Sequence, residues 1–155
     1  MPKIARFSIG YKAASIGGLR EGSSNPSLAL PADISDYPNT ISNALEELRL
    51  AGVDGPYSVL LGADAYTALG EARDQGYPVI EHIKRIVNGD IIWAPALAGG
   101  SVLSTRGGDF ELHLGEELSI GYVSHTDTVV RLYLCETLTF LMLTSEASVS
   151  LTQAE

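Results

Sequence analysis

Residues 131–143 alternate with period two. Leu132, Leu134, Leu138, Phe140 and Met142 share one side, and Arg131, Tyr133, Thr137 and Thr139 share the other. The pattern predicts a β-strand with one apolar and one wet face. At about 3.3 Å per residue the run reaches roughly 40 Å, well past the usual length of a globular strand. Strands of that length belong to extended sheets or to assemblies, which narrows the folds open to this chain. A single carboxylate, Glu136, breaks the apolar side. It is either an ion-pair or hydrogen-bonding group at a sheet or subunit contact, or a proton-transfer group. Arg131 is its candidate partner, or alternatively a contact to a neighbouring subunit.

The segments upstream predict more strands. In Thr105-Arg106-Gly107-Gly108-Asp109-Phe110 the two glycines supply positive backbone angles, which predicts a tight hairpin joining residues 101–105 to 110–114. Leu118-Ser119-Ile120-Gly121-Tyr122 and a polar turn, Ser124-His125-Thr126-Asp127, extend this into a meander. Ile91-Ile92-Trp93 opens a further strand, with Trp93 expected in the core. Tyr57 to Leu61 reads as a short buried strand.

Helices precede these strands. Asp36 is placed to cap one that has Pro38 in its first turn, Ile41, Leu45 and Leu48 on one stripe, and Gly52 as its stop. Asp64 is placed to cap a second, running to about Arg73 with Ala65, Ala68, Leu69 and Ala72 inward. After the loop Asp74-Gln75-Gly76-Tyr77, Pro78 starts a third. That helix turns Ile80, Ile83 and Val87 inward and sets Lys84 and Arg85 in its last turn, against the helix dipole. Residues 1–9 alternate as a short strand with Ala5, Phe7 and Ile9 on one side, and residues 17–33, rich in Gly, Ser, Asn and Pro, read as a long loop. The order predicts an α+β fold rich in antiparallel strands. Three segments make one compact unit: 1–33, a strand and loop; 34–126, an α/β body; and 127–155, the long C-terminal strand.

Charge excludes several functions. Ten Lys and Arg against nineteen Asp and Glu give a net charge of -9, which repels phosphate backbones and anionic membranes. No nucleic-acid or membrane partner is expected, no apolar run is long enough to span a bilayer, and a cytoplasmic location follows. The lone cysteine, Cys135, has no internal disulfide partner and reads as a small buried hydrophobe. His82, His113 and His125 fall on a helix, in a strand and in a turn without metal-ligand spacing. No nucleophile elbow appears, and Gly17-Gly18 and Gly99-Gly100 lack the context of a phosphate loop. Neither a catalytic residue, nor a metal site, nor a cofactor is predicted.

One resemblance gives these pieces a common frame. Arg106-Gly107-Gly108-Asp109-Phe110, then Leu118 to Tyr122, then Val130-Arg131-Leu132-Tyr133-Leu134 and Glu136-Thr137-Leu138-Thr139-Phe140, in this order and spacing, resemble the C-terminal part of encapsulin shell proteins. Gly55-Pro56-Tyr57-Ser58-Val59-Leu60 and Gly76-Tyr77-Pro78 match the same family, and the likeness runs from about Gly10 to the end of the chain. It implies the fold of tailed-phage capsid subunits, mainly the axial domain with the C-terminal strands of the peripheral domain. The family's N-terminal helix, extended loop and most of its spine helix have no counterpart, so a shortened shell protein, natural or engineered, is expected.

The resemblance also implies function. Encapsulins are bacterial and archaeal proteins that self-assemble into cages, and a homo-oligomeric cage or pentameric building block with five-fold contacts is expected here, as a nanocompartment of the cytoplasm. Cargo proteins dock in such shells through a C-terminal targeting peptide, partly against the N-terminal helix that has no counterpart here, so cargo loading is in question. The flavin site of some members involves the extended loop, which is also without a counterpart. Asp74, Gln75, Gly76 and Tyr77 match the loop that lines the five-fold pore, where a ring of Asp74 carboxylates would form a polar constriction. Arg131, Glu136 and Phe140 fall in a structural stretch of the family. The alternatives are a non-assembling or redesigned fragment and, from another class, a serine-type hydrolase.

Overall fold

A computed structural model of the chain describes residues 17–153. The expected strand at residues 1–9 lies outside them. In chain order the elements are α1 (Leu19–Gly22), β1 (Leu28–Ala29), α2 (Tyr37–Leu50), β2 (Tyr57–Leu61), α3 (Ala63–Glu71), β3 (Arg73–Asp74) and β4 (Tyr77–Pro78). Then follow α4 (Val79–Val87), β5 (Ile91–Trp93), β6 (Gly100–Ser104), β7 (Phe110–His125), β8 (Val130–Met142) and β9 (Ser148–Thr152). The architecture is α+β. Part of the expected loop at residues 17–33 is ordered as α1 and β1, where Asn25 Nδ2 donates to the Glu146 and Ser148 carbonyls and Ser23 Oγ donates to Ser148.

A five-stranded mixed sheet in the order β1-β9-β6-β2-β5 forms the body. Strands β2 and β6 are buried at every position, as central strands covered on both faces are. Period-two alternation divides their side chains. Tyr57, Val59, Leu61, Val102, Val149 and Leu151 join the main core against the helices, whereas Leu60 and Leu103 join a second cluster with Leu19, Ala94 and Phe140. Ser58, Ser101, Ser148 and Ser150 are also buried, and these small residues let other segments approach the sheet closely. Ser101 Oγ donates to the Val149 carbonyl at 3.1 Å, and Ser104 Oγ to that of Asp54 at 2.9 Å.

The helices form where the sequence places them, with small shifts at their ends. In α2, Ile41, Ala44, Leu45 and Leu48 are fully buried, the spacing of one helical stripe. Asp36 occupies the N-cap position, but its side chain bonds no helix N–H. Helix α3 is capped by Gly62 and ends at Glu71, so Asp64 falls in the first turn rather than at the cap. In α4, Val79, Ile83 and Val87 are buried, and Asn88 closes the helix in the left-handed conformation with φ 53°.

The expected hairpin between residues 101–105 and 110–114 does not form. Strand β6 is already paired on both sides, Leu103 facing Ser58 of β2 and Ser148 of β9, so it has no edge to offer β7. Gly107 and Gly108 do take positive φ, 90° and 83°, but the turn they build carries the chain out of the sheet. Strand β7 instead pairs along its length with β8, and it includes residues 118–122, expected as a separate strand. The resulting ribbon crosses residue 126, and the chain then returns to the sheet as β9.

Candidate functional site

Two surface features carry the candidate residues. The first is the turn between α3 and α4. Arg73 and Asp74 pair with Pro78 and Tyr77, and the two residues at the bend, Gln75 (φ 47°) and Gly76 (φ 86°), both have positive φ. A two-residue hairpin demands that geometry because it matches the twist of the flanking strands. Asp74, Gln75, Gly76 and Tyr77 are all exposed. The Arg85 guanidinium lies 5.3 Å from the Tyr77 ring centroid, a cation–π contact that holds the ring against α4. Asp74 has one cationic neighbour in sequence, Arg73.

The second feature is the ribbon. Strand β7 has 16 residues and β8 has 13, and irregularities between Leu114 and Glu116, Glu116 and Ser119, and Tyr122 and Ser124 take up the difference. Each extra β7 residue moves the following side chains to the other face, so two of them restore the original face. Leu112, Leu114, Ile120 and Tyr122 thus lie opposite Phe140, Leu138, Leu134 and Leu132, all on the apolar side of β8. Glu136 shares this face, opposite the bulge at Glu117 and Leu118. Arg131 pairs with Ser124 on the other face, so the alternation that separates it from Glu136 removes it as that residue's partner.

Among the described residues, the apolar face is covered only at its base. Phe140 is 4% exposed and stacks on Phe110 with centroids 6.3 Å apart, against Leu19, Leu60, Ala94 and Leu103. Farther out, Leu132 is 59%, Leu134 69% and Ile120 69% exposed. Trp93, expected in the core, is 55% exposed, because β5 forms the sheet edge and turns the indole outward. Cys135 is half-buried on the wetter face rather than fully buried. Its thiol donates to Glu116 Oε2 at 3.4 Å, and that carboxylate holds the thiol pKa above its ordinary value.

One polar clamp was not anticipated from the sequence. Arg106 Nε and Nη2 donate to Asp109 Oδ2 and Oδ1 at 3.0 Å each, a two-point contact across the double-glycine turn. The Asp109 carboxyl is held below the usual carboxylate range, first by Arg106 and then by the Thr144 and Ser104 side chains, against a burial effect that raises it. The Leu143 N–H donates to the Asp109 carbonyl at 2.8 Å, so one residue ties down both ends of the ribbon. An Arg three residues before an Asp across Gly-Gly is the available sequence signal.

The remaining polar groups are dispersed. His113 Nε2 lies 2.8 Å from Glu111 Oε2, and His125 Nδ1 shares a hydrogen bond with Tyr122 Oη at the ribbon tip. His82 is exposed on α4. Among the described residues no group of three His, Cys, Asp or Glu is placed to hold a metal ion, and no helix is long and apolar enough to cross a membrane.

This layout, a helix-backed sheet with a long ribbon leaving it, has known relatives. The family described as the encapsulating protein for peroxidase matches residues 8–139. The chain belongs to the encapsulin family. It is similar to the type 1 encapsulin shell proteins of Mycobacterium tuberculosis, at 64% identity over 142 residues, and of Rhodococcus erythropolis, at 62% over 142 residues. Each alignment covers 92% of this chain and 54% of the relative, so this encapsulin-family chain spans about half the length of the curated relatives it matches.

Solved structures agree on the fold. A virus-like particle from Pyrococcus furiosus superposes with a TM-score of 0.71 at 18% identity, over 92% of this chain and 59% of that one. The capsid of an empty GTA particle gives 0.61 at 11% identity, over 97% and 60%. The encapsulin-family chain therefore has the tailed-phage capsid fold expected from its sequence.

Proposed function

We propose that this chain is a structural shell subunit that assembles with copies of itself into a cage or a pentameric building block, and that it is not an enzyme. The 64% identity to a type 1 encapsulin shell protein carries this reading. The exposed ribbon agrees with it, since a one-sided apolar strand pair is a surface made to be covered. The buried serines do not favour the hydrolase alternative, because Ser101 and Ser104 bond backbone carbonyls within the sheet. Light scattering and electron microscopy test the proposal. Particles or rings are expected, and a strictly monomeric species at micromolar concentration would overturn it.

In this reading the turn at Asp74, Gln75, Gly76 and Tyr77 approaches a five-fold axis and lines a narrow opening. Its exposure and its rigid two-residue bend suit such a position. Arg73 next to Asp74 offsets its charge, so the opening is polar rather than strongly cation-selective. Substituting Asp74 and Gln75 by Ala is expected to change ion passage while leaving assembly intact, and unchanged flux through intact particles would remove the pore role. Phe140 acts inside the subunit by anchoring the ribbon, whereas Arg131 and Glu136 lie on its two faces as candidate subunit contacts. Cargo carried on a C-terminal peptide, in a cytoplasmic nanocompartment, completes the proposal.

A further inference from the structure

We propose that the Asn88-Gly89 pair, at the C-terminal end of α4, is a site of self-modification, at which the Gly89 backbone nitrogen attacks the Asn88 side-chain amide and the asparagine becomes aspartate and isoaspartate. Each residue is fixed by a separate demand of the fold. Asn88 ends the helix at φ 53°, in the left-handed region that asparagine tolerates, and its N–H donates to the Lys84 carbonyl at 3.2 Å. Gly89 follows because a Cβ there would collide with the Tyr57 carbonyl oxygen of β2. Together they set beside the side-chain amide a nitrogen that no neighbouring side chain hinders.

The bonding around the pair leaves it able to react. Among the described residues, neither the Asn88 side-chain amide nor the Gly89 N–H has a hydrogen-bond partner. The next fixed point is Asp90, whose N–H donates to Ser58 Oγ at 3.3 Å and whose carbonyl accepts from the Val59 N–H at 2.9 Å. The peptide unit between 88 and 89 therefore turns while α4 and β5 stay in place, and attack within one chain then needs only the right orientation. The other three asparagines are held differently. Asn25 donates to the Glu146 and Ser148 carbonyls and precedes Pro26, whose nitrogen carries no proton. Asn39 and Asn43 lie within α2, where the helix engages the N–H groups that follow them.

The reaction balances with water alone. The Gly89 nitrogen bonds to the Asn88 side-chain carbonyl carbon, the bond from that carbon to Nδ2 breaks, and ammonia leaves with the proton that Gly89 gives up. Water then opens the five-membered ring at either carbonyl. One opening gives an aspartate, the other an isoaspartate whose main chain runs through the side-chain carbon. Either product puts a carboxylate at the negative pole of α4, with Asp90 two residues on and Lys84 and Arg85 in the last turn opposing it. The isoaspartate also adds a main-chain atom where Gly89 has no spare room, which strains the entry to β5 at the sheet edge.

Incubation of the full chain in mildly alkaline buffer tests the proposal, read by peptide mass mapping with fragmentation and by enzymatic methylation of isoaspartate. Asn88→Gly keeps the left-handed cap, removes the amide and serves as control. Asn88 is expected to show the mass change from amide to acid at a rate at least about tenfold that of Asn39 or Asn43. The product is expected to include isoaspartate, the rate to rise with pH, and the Asn88→Gly chain to show no change at that position. Aged protein is expected to unfold at a lower urea midpoint than fresh protein, and aged Asn88→Gly at the midpoint of its own fresh sample. Conversion of Asn88 no faster than that of Asn39 and Asn43 in the folded chain overturns the proposal, and does so equally if urea-unfolded chain converts, because the cap then protects the pair. Aspartate without isoaspartate means direct hydrolysis and overturns the attack by Gly89. A converted chain with the midpoint of the fresh one overturns the strain at β5.

Discussion

Phe140 and Leu112 face each other across the ribbon in register, yet one is 4% exposed and the other 48%. Truncating each to Ala therefore measures how far the cover from the body of the subunit extends across the base of the ribbon, from β8 to β7. Phe140→Ala empties a site walled by Phe110, Leu19, Leu60, Ala94 and Leu103, and burial of that kind predicts a loss of about 3–4 kcal/mol. About 1 kcal/mol of it is the ring contact with Phe110, whose centroid lies 6.3 Å away. Leu112→Ala removes a side chain already half in water, so its loss is at most ~1 kcal/mol. For a domain of this size these values correspond to falls in Tm of roughly 6–16 °C and under about 4 °C. Urea and thermal unfolding followed by circular dichroism, at one fixed protein concentration, measure both. Equal losses in the two variants would refute the reasoning, because they would mean that the base of the ribbon is covered evenly across both strands.

Three further outcomes are expected. The folded-state pKa of Asp109 is depressed, so its stabilisation is fully present above the unfolded value of about 4 and is lost as pH falls through the lower folded value. Asp109→Asn should accordingly be less stable at neutral pH and should lose less than the parent on acidification, read from urea unfolding at a series of pH values. Gly89→Ala would bring a Cβ within 2.0 Å of the Tyr57 carbonyl oxygen, and since backbone must move to relieve it, a loss of about 3 kcal/mol is expected by the same unfolding measurement. Gln75→Asn places at φ 47° a residue that tolerates the left-handed region, so a gain of a few tenths to about 1 kcal/mol, or slower amide exchange in the turn, is expected.

Local signals were legible in the sequence. The stripe Ile41, Leu45 and Leu48, the helix through Ile83 and Val87, the buried strand at Tyr57 to Leu61 and the alternation of β8 all follow from side-chain periodicity, which neighbouring residues set between themselves. The turn at Asp74 to Tyr77 was legible as a turn, though not as a hairpin with two positive φ angles. Strand pairing was harder to read. Gly107 and Gly108 provide a sharp bend wherever the chain goes next, and the identical local geometry serves a hairpin or a departure from the sheet. The edges of β6 decided it, because β2 and β9 already occupy both. Trp93 failed for the same reason, since an Ile-Ile-Trp strand reads alike at a sheet centre or at its edge.

By itself, then, the sequence determined the element types, the fold family and the one-sided character of the 131–143 strand, because these depend on spacing along the chain. Only the tertiary structure decided which strands pair and how much of the apolar face is covered. It showed that β7 carries three irregularities, two of which return Ile120 and Tyr122 to the apolar face, and that cover from the described residues is confined to the base around Phe140. Those facts depend on which long-range partners compete for each edge and face, and period-two alternation contains no record of that competition.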